Sequence, residues 1–205
     1  MVSHTRVFSY AQDRPESWVD RFGVWLSQRQ FRRYLTDLSD KKVADFGCGY
    51  HARLGRKLAE NAQSLFLVDI TLDPSLSQRK ATTCLEGHLP TCLSQINSEQ
   101  FDVIFLNSVL EHVSQDSVLV KEVYRLLVRG GMALINVPSW RGKAWLEWSG
   151  FDMGFSPKEE MDDHKRYYDV KDLWPMLVAA GFRPSRIKSF SHKFGLNTFA
   201  VCVKS

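Results

Sequence analysis

Val43-Ala44-Asp45-Phe46-Gly47-Cys48-Gly49-Tyr50-His51-Ala52 marks a change of period in the chain. Upstream of it, Trp18, Phe22, Trp25 and Leu26, then Phe31, Tyr34 and Leu35, recur at helical spacing with charges between them. That pattern predicts a helix over 15–38, with Pro15 in its first turn. From Val43 the apolar residues run continuously and stop at a glycine, as in a buried strand entering a tight turn. Two glycines, Gly47 and Gly49, then let the backbone pass close to a ligand and open the next helix.

Outward from this segment the alternation repeats. Residues 53–62 read as helix, 65–69 as strand, 81–86 as a shorter strand and 101–107 as a strongly apolar one. Residues 114–128 form an amphipathic pattern with Leu119, Val123, Leu126 and Leu127 on one face, and Gly130-Gly131 is expected to stop it. A fifth strand follows over 132–138. Residues 169–182 read as a helix with Asp169 as its cap, Asp172 three residues on and Pro175 inside it. The tail supplies strands near 186–190 and 197–203. Strands alternating with helices predict an α/β fold: a Rossmann-like, doubly wound, mostly parallel seven-stranded sheet with helices on both faces. Residues 1–40 read as a helical cap on a domain over 41–205, with an aromatic insertion at about 139–163. That insertion carries Trp140, Trp145, Trp148, Phe151, Met153, Phe155 and Met161, and reads as an acceptor lid ahead of a partner-protein surface.

The 205 residues, 44% of them hydrophobic and 24% charged, describe a globular chain and exclude disorder, collagen and coiled coil. No apolar run is long enough to span a bilayer, and the N-terminus has no secretion-signal pattern. Cys48, Cys84, Cys92 and Cys202 fall in no metal-like spacing, which suits reduced thiols in the cytoplasm. The net charge of +4 is small, and Arg29, Arg32 and Arg33 with Lys41 and Lys42 read as a solvated face rather than a nucleic-acid contact.

In such sheets ligands bind beyond the carboxyl ends of the strands. Asp69 ends the second strand, twenty residues beyond Gly49, where a carboxylate can accept both hydrogen bonds of a ribose diol. Glycine loop and acid together indicate an adenosine-type cofactor. Gly47-x-Gly49-x-x-Ala52 also satisfies the dinucleotide pattern, but Asp45 would repel a pyrophosphate and favour a cationic ligand.

VADFGCG, LFLVDI, FDVIFLNSVLEHV, EVYRLLVRGGMALINVP and DDHKRYYDVKDLWPMLVAAGF, in this order over residues 40–205, resemble the class I S-adenosylmethionine-dependent methyltransferases, in particular the small-molecule group. The resemblance implies a backbone passage under the methionine part at Gly47 and Gly49, with Asp45 linked to its amino group. It places Asp69 on the ribose, Ile70 on the adenine, Glu86 and Gly87 at the adenine edge, and Asn107 and Ser108 beside the methyl group. His51 stands where the family often has a third glycine. Relatives with an acid upstream of Glu-His can hold a divalent metal; Asn107 and Ser108 stand here instead, so no metal is expected.

An acceptor hydroxyl or amine benefits from a base, and His112 and His164 are the candidates, each weighed against a plain loop role. The expected reaction is methyl transfer to a small or medium-sized acceptor, most plausibly at oxygen. Three alternatives stand beside it: a catalytically silent binding subunit, an RNA methyltransferase, and a short-chain dehydrogenase using Ser156, Tyr167 and Lys171. The last lacks its family's glycine pattern.

Overall fold

Seven strands form one sheet: β1 (Lys42–Phe46), β2 (Ser64–Asp69), β3 (Thr82–Glu86), β4 (Phe101–Asn107), β5 (Leu127–Pro138), β6 (Ile187–His192) and β7 (Asn197–Val203). Their order is β3-β2-β1-β4-β5-β7-β6. All neighbours pair parallel except β7, which runs antiparallel to both β5 and β6. The chain leaves β1 toward β2 and β3 and returns to β1's other side as β4, so the switch point lies between β1 and β4. The structure is a computed structural model that describes residues 9–10, 18–145 and 166–205, with side chains in the first helix described from residue 22. The expectations that rest on Pro15, on the Trp18 side chain, on residues 146–163 of the insertion with Ser156, and on His164 lie outside the described residues.

Helices bounded within the described residues are α1 (Trp18–Arg32), α2 (Arg53–Leu58), α3 (Asp116–Leu126) and α4 (Val170–Ala180), and residues 140–145 are helical as well. Alternate residues of β4 bury on opposite faces: Ile104 and Leu106 meet Leu119, Val123, Leu173 and Leu177, whereas Val103 and Phe105 meet Phe31, Leu54 and Phe199. A strand apolar on both sides needs a helix layer on each, which is why VIFL reads as continuous apolar sequence. Asp169 and Asp172 close a reciprocal capping box that fixes where α4 starts. Gly181 ends it at φ +119, with its backbone tight against the Tyr124 ring.

Two expectations are corrected. Gly130-Gly131 does not stop a helix; α3 ends at Leu126 and both glycines lie inside β5. Pairing with β4 jumps from Phe101↔Leu127 to Val103↔Met132, and a Cβ on Gly131 would lie 2.9 Å from the Val128 carbonyl oxygen. Gly131 lies in a bulge whose crowded backbone excludes a side chain, and Gly130 supplies the left-handed angle, φ +77, with open space beside it. The N-terminal helix ends at Arg32 rather than 38, and of its described aromatics Phe22 and Trp25 turn away from the core. Phe22 and Trp25 are 52% and 48% exposed and stack on each other, while Ser27, Gln28 and Gln30 are buried. Phe31, edge-on to Phe105 and Phe199, is core, and beyond the helix Tyr34, stacked on Phe199, and Leu35 pack against the same cluster. Arg29, Arg32 and Arg33 lie exposed, as a solvated face requires.

Candidate active site

The β1–α2 turn is built from left-handed residues. Gly47 has φ +72 and Gly49 φ +74, and Ala52 takes φ 46 just before α2. A Cβ on Gly47 would lie 2.5 Å from Val109 Cγ2, so glycine is required there both for backbone angle and for close packing of the β4 loop. His51, at the place of the missing third glycine, turns its ring outward to Asp73, 3.1 Å from Nδ1 to Oδ2. The turn closes without a third glycine.

Asp69 sits at the carboxyl end of β2. Its Oδ2 accepts the Gly49 N–H (2.7 Å) and its Oδ1 accepts the Ile70 N–H (2.8 Å). Ser9 adds a contact with no motif to announce it. Its hydroxyl is 2.5 Å from Asp69 Oδ1 and 2.6 Å from the Thr71 carbonyl oxygen, and it accepts the Thr71 N–H. Beside it the Tyr10 carbonyl accepts the Tyr50 N–H, so Ser9 and Tyr10 lie directly over the glycine turn. A carboxylate offers about four acceptor positions. With Ser9 turned to Thr71, Asp69 keeps a position on each oxygen.

Asp45 is buried beneath the turn, and its Oδ2 accepts the Gly55 N–H of α2 at 3.0 Å. Burial pushes its carboxyl up to about 7; the Gly55 bond opposes this and the Asp69 charge adds to it. Glu86 is exposed, and its Oε1 accepts the Leu72 N–H. Gly87 follows at φ +155 with Cys92 packed where a Cβ would stand. The β1, β2 and β3 tips thus bring Asp45, Gly47, Gly49, Asp69, Ile70, Glu86 and Gly87 to one edge.

The β4 and β5 tips carry a second group. Asn107 Oδ1 accepts from Asn136 Nδ2 (2.9 Å), and Ser108 follows in a left-handed conformation. A short turn, Leu110–His112, holds Glu111 fully buried and His112 half-buried. Tyr168 clamps this turn: its hydroxyl donates to Asp116 at 2.8 Å, and Arg166 pairs with the same carboxylate. Burial and the Asp116 carboxylate raise the Tyr168 hydroxyl far above its ordinary value. Beyond β6, Lys193, Phe194 and Gly195 take φ values of 50, 59 and 88. That turn is tied to residue 139, whose hydroxyl donates to the Gly195 carbonyl (2.6 Å) and whose N–H donates to that of Leu196. Sequence reasoning passed over Asn136, His192 and Lys193, which sit in no recognisable spacing.

An open groove of about 840 Å³ between α1 and α2, lined by Phe22, Trp25, Arg53, Arg56 and Lys57 among others, contains none of these predicted residues. Among the described residues no helix is long and apolar enough to cross a membrane. The dehydrogenase reading meets two obstacles. The dinucleotide fold has a wholly parallel 3-2-1-4-5-6 order, whereas β7 here is antiparallel. Tyr167 also packs its ring against Trp140, 5.6 Å between centroids.

Residues 44–135 match a family profile described as "Methyltransferase domain". A ubiquinone biosynthesis O-methyltransferase of Pseudomonas fluorescens is 27% identical over 128 residues, covering 60% of this chain and 52% of that protein. The chain thus spans about half the length of the curated relatives it matches at this level. Among solved structures, a putative methyltransferase bound to the Trm112 methyltransferase activator of Haloferax volcanii superposes with TM-score 0.68 at 14% identity, over 89% of this chain and 91% of the other. A SAM-dependent methyltransferase of Archaeoglobus fulgidus superposes with TM-score 0.64 at 14% identity, over 92% and 100%. The cofactor of such domains is S-adenosylmethionine, and the residues present fit it: a glycine turn closed only by left-handed backbone, a buried acid beneath it and a strand-tip carboxylate with acceptor positions left. Matched segment, strand order and glycine turn together give this chain the fold of the class I S-adenosylmethionine-dependent methyltransferases, with the profile match confined to residues 44–135.

Proposed function

We propose that this protein transfers a methyl group from S-adenosylmethionine to a hydroxyl oxygen of a small or medium-sized acceptor. The observation that carries the reading is Asp69, held at the β2 tip by the Gly49 and Ile70 amides with room for a ribose diol. The oxygen acceptor is supported by the O-methyltransferase relatives, and a cytoplasmic setting by four free cysteines.

When bound, the cofactor supplies a methyl group already activated on a cationic sulfur. The chain's work is therefore alignment, exclusion of water and handling of the acceptor proton. Gly47 and Gly49 pass under the methionine part, and Asp45 attracts its ammonium. Asp69 binds the ribose while Ser9 turns to the Thr71 carbonyl. Ile70 packs on the adenine, and Glu86 and Gly87 border its edge. Asn107 and Ser108 flank the methyl group, and His112 contacts the acceptor. His164 is retained as a second acceptor contact on sequence alone. The 1–40 cap and the 139–163 lid enclose the acceptor.

Calorimetric titration with S-adenosylhomocysteine tests this, with NADH as parallel ligand. Binding of the homocysteine ligand alone, abolished in Asp69→Ala, is the expected result. Binding of NADH alone would remove the methyltransferase reading. Screening phenols, aliphatic alcohols and amines for S-adenosylhomocysteine formation then decides the acceptor atom.

A further inference from the structure

Helix α1 buries Ser27, Gln28 and Gln30 and holds Phe22 and Trp25 outward, each about half exposed. A surface helix ordinarily turns its apolar stripe to the core, so aromatics held outward mark a face that something else covers. The two rings line the groove of about 840 Å³ between α1 and α2, where they meet a cationic wall. Arg53, Arg56 and Lys57 of α2, with Arg79 from the turn before β3, stand there against one carboxylate, Glu60. Over the whole chain 27 lysines and arginines face 23 acids, so the excess is concentrated in this groove.

Arg53, Lys57 and Arg79 are exposed, and Arg56 is anchored by donating from Nη1 to the His51 carbonyl at 3.3 Å. Among the described residues Arg56, Lys57 and Arg79 enter no ion pair, so their charge is uncompensated. A smaller cleft of about 50 Å³ shares Arg56, Glu60 and Arg79 with the groove and continues it to Lys80. Phe22 and Trp25 stack with centroids 5.8 Å apart, and the Arg29 guanidinium stands over the Trp25 ring, also at 5.8 Å. Phe22 lies one helical turn before Trp25 and Arg29 one turn after it, so both faces of the indole are covered. A nucleobase needs an open ring face, whereas exposed ring edges suit an apolar side chain. Aromatic residues and arginine are also the types in which protein interfaces are enriched.

We propose that the groove between α1 and α2 is a docking site for a partner protein, filled by an acidic polypeptide segment that carries a large apolar side chain. The segment's carboxylates pair with Arg56, Lys57 and Arg79 through charge-assisted hydrogen bonds, bidentate where the partner is arginine. Its apolar side chain seats against the edges of Phe22 and Trp25. None of the strand-tip residues lines the groove, so the segment and S-adenosylhomocysteine occupy the chain together. The proposal does not depend on the methyl-transfer reading.

The test selects a phage-displayed library of random peptides on the full chain, then titrates the enriched peptides, fluorescently labelled, by anisotropy. Enrichment in Asp and Glu around an apolar residue is the expected result. Binding should weaken about 30-fold in Trp25→Ala and about tenfold in the double variant Lys57→Gln/Arg79→Gln, and should fall with rising salt. The double variant should melt like the wild type, so that its loss of binding reports the groove and not the fold. Should Trp25→Ala fail to fold, the double variant decides alone. Selected peptides without acidic enrichment overturn the proposal, as do acidic peptides that the double variant binds as tightly as the wild type. Tighter binding of labelled oligouridylate or of phosphatidylglycerol vesicles than of any selected peptide, lost in the double variant, overturns it in favour of a nucleic acid or a lipid surface. Self-association in sedimentation that disappears in Trp25→Ala overturns it in favour of a second copy of this chain.

Discussion

The two halves of the strand-tip edge are assembled over very different distances along the chain. At the tips of β1 and β2, Asp45 binds the Gly55 amide ten residues on, and Asp69 binds the Gly49 amide twenty residues back. At the tips of β4 and β5, Asn136 reaches Asn107 across 29 residues and Ser27 across 109. The first half uses backbone donors and glycine angles, which short motifs encode. The second uses side chains from strand, helix and turn that meet only when the sheet closes under α1. On the proposed function, cofactor recognition would be a local property of this chain and acceptor recognition a global one.

The contrast breaks most visibly at Asp69. Asp69→Ala should weaken S-adenosylhomocysteine by about 100-fold or more, from two lost hydrogen bonds to a charged group; an unchanged calorimetric Kd would move ribose recognition elsewhere.

Asp45→Asn should separate stability from affinity. The carboxyl stands near 7 in the folded chain against an ordinary 3.8, so the folded state holds its proton more tightly than the unfolded state. Its contribution to stability is present below about 4 and is lost as pH rises through about 7. The Asn variant, still able to accept the Gly55 N–H, should melt higher than wild type at about pH 8 and show a flatter pH dependence. Affinity for the cationic cofactor runs oppositely, rising through about pH 7 in wild type and staying low and flat in the variant. Melting curves and calorimetry across that range should give opposite pH profiles in the wild type, and parallel ones would remove Asp45 from cofactor binding.

Gly47→Ala should cost roughly 2–3 kcal/mol, from left-handed strain together with the Val109 clash, and should be read by chemical denaturation. Across the edge, His112→Ala should leave S-adenosylhomocysteine binding intact while lowering methyl transfer to a responsive phenol about tenfold, the loss of one contact. A fall in cofactor affinity instead would assign His112 to the first half.

Strand sequence, the two tail strands and the glycine turn were legible because each is written in a few consecutive residues, whereas the antiparallel direction of β7 came only from the structure. The extents of β4 and β7 agree with the sequence pattern, and Asp169 with Asp172 marked the start of α4. Where two structures share one local signal, the sequence misled. Gly130-Gly131 serves a helix stop and a bulge equally well on paper, and only the Phe101↔Leu127 pairing selects the bulge. Aromatic periodicity in α1 signals a helix with an apolar face, but not which face the sheet receives.

Residue type and spacing alone therefore determined the class of fold and the glycine turn with its strand-tip acid, since 2-fold and 3.6-fold periods and backbone angles are local quantities. Tertiary structure alone decided that Ser9 reaches Asp69, that α1 turns Ser27 inward and Trp25 outward, and that Asn136 reaches Ser27. Those arrangements depend on burial, which is fixed by everything that packs against a residue rather than by its neighbours in the chain.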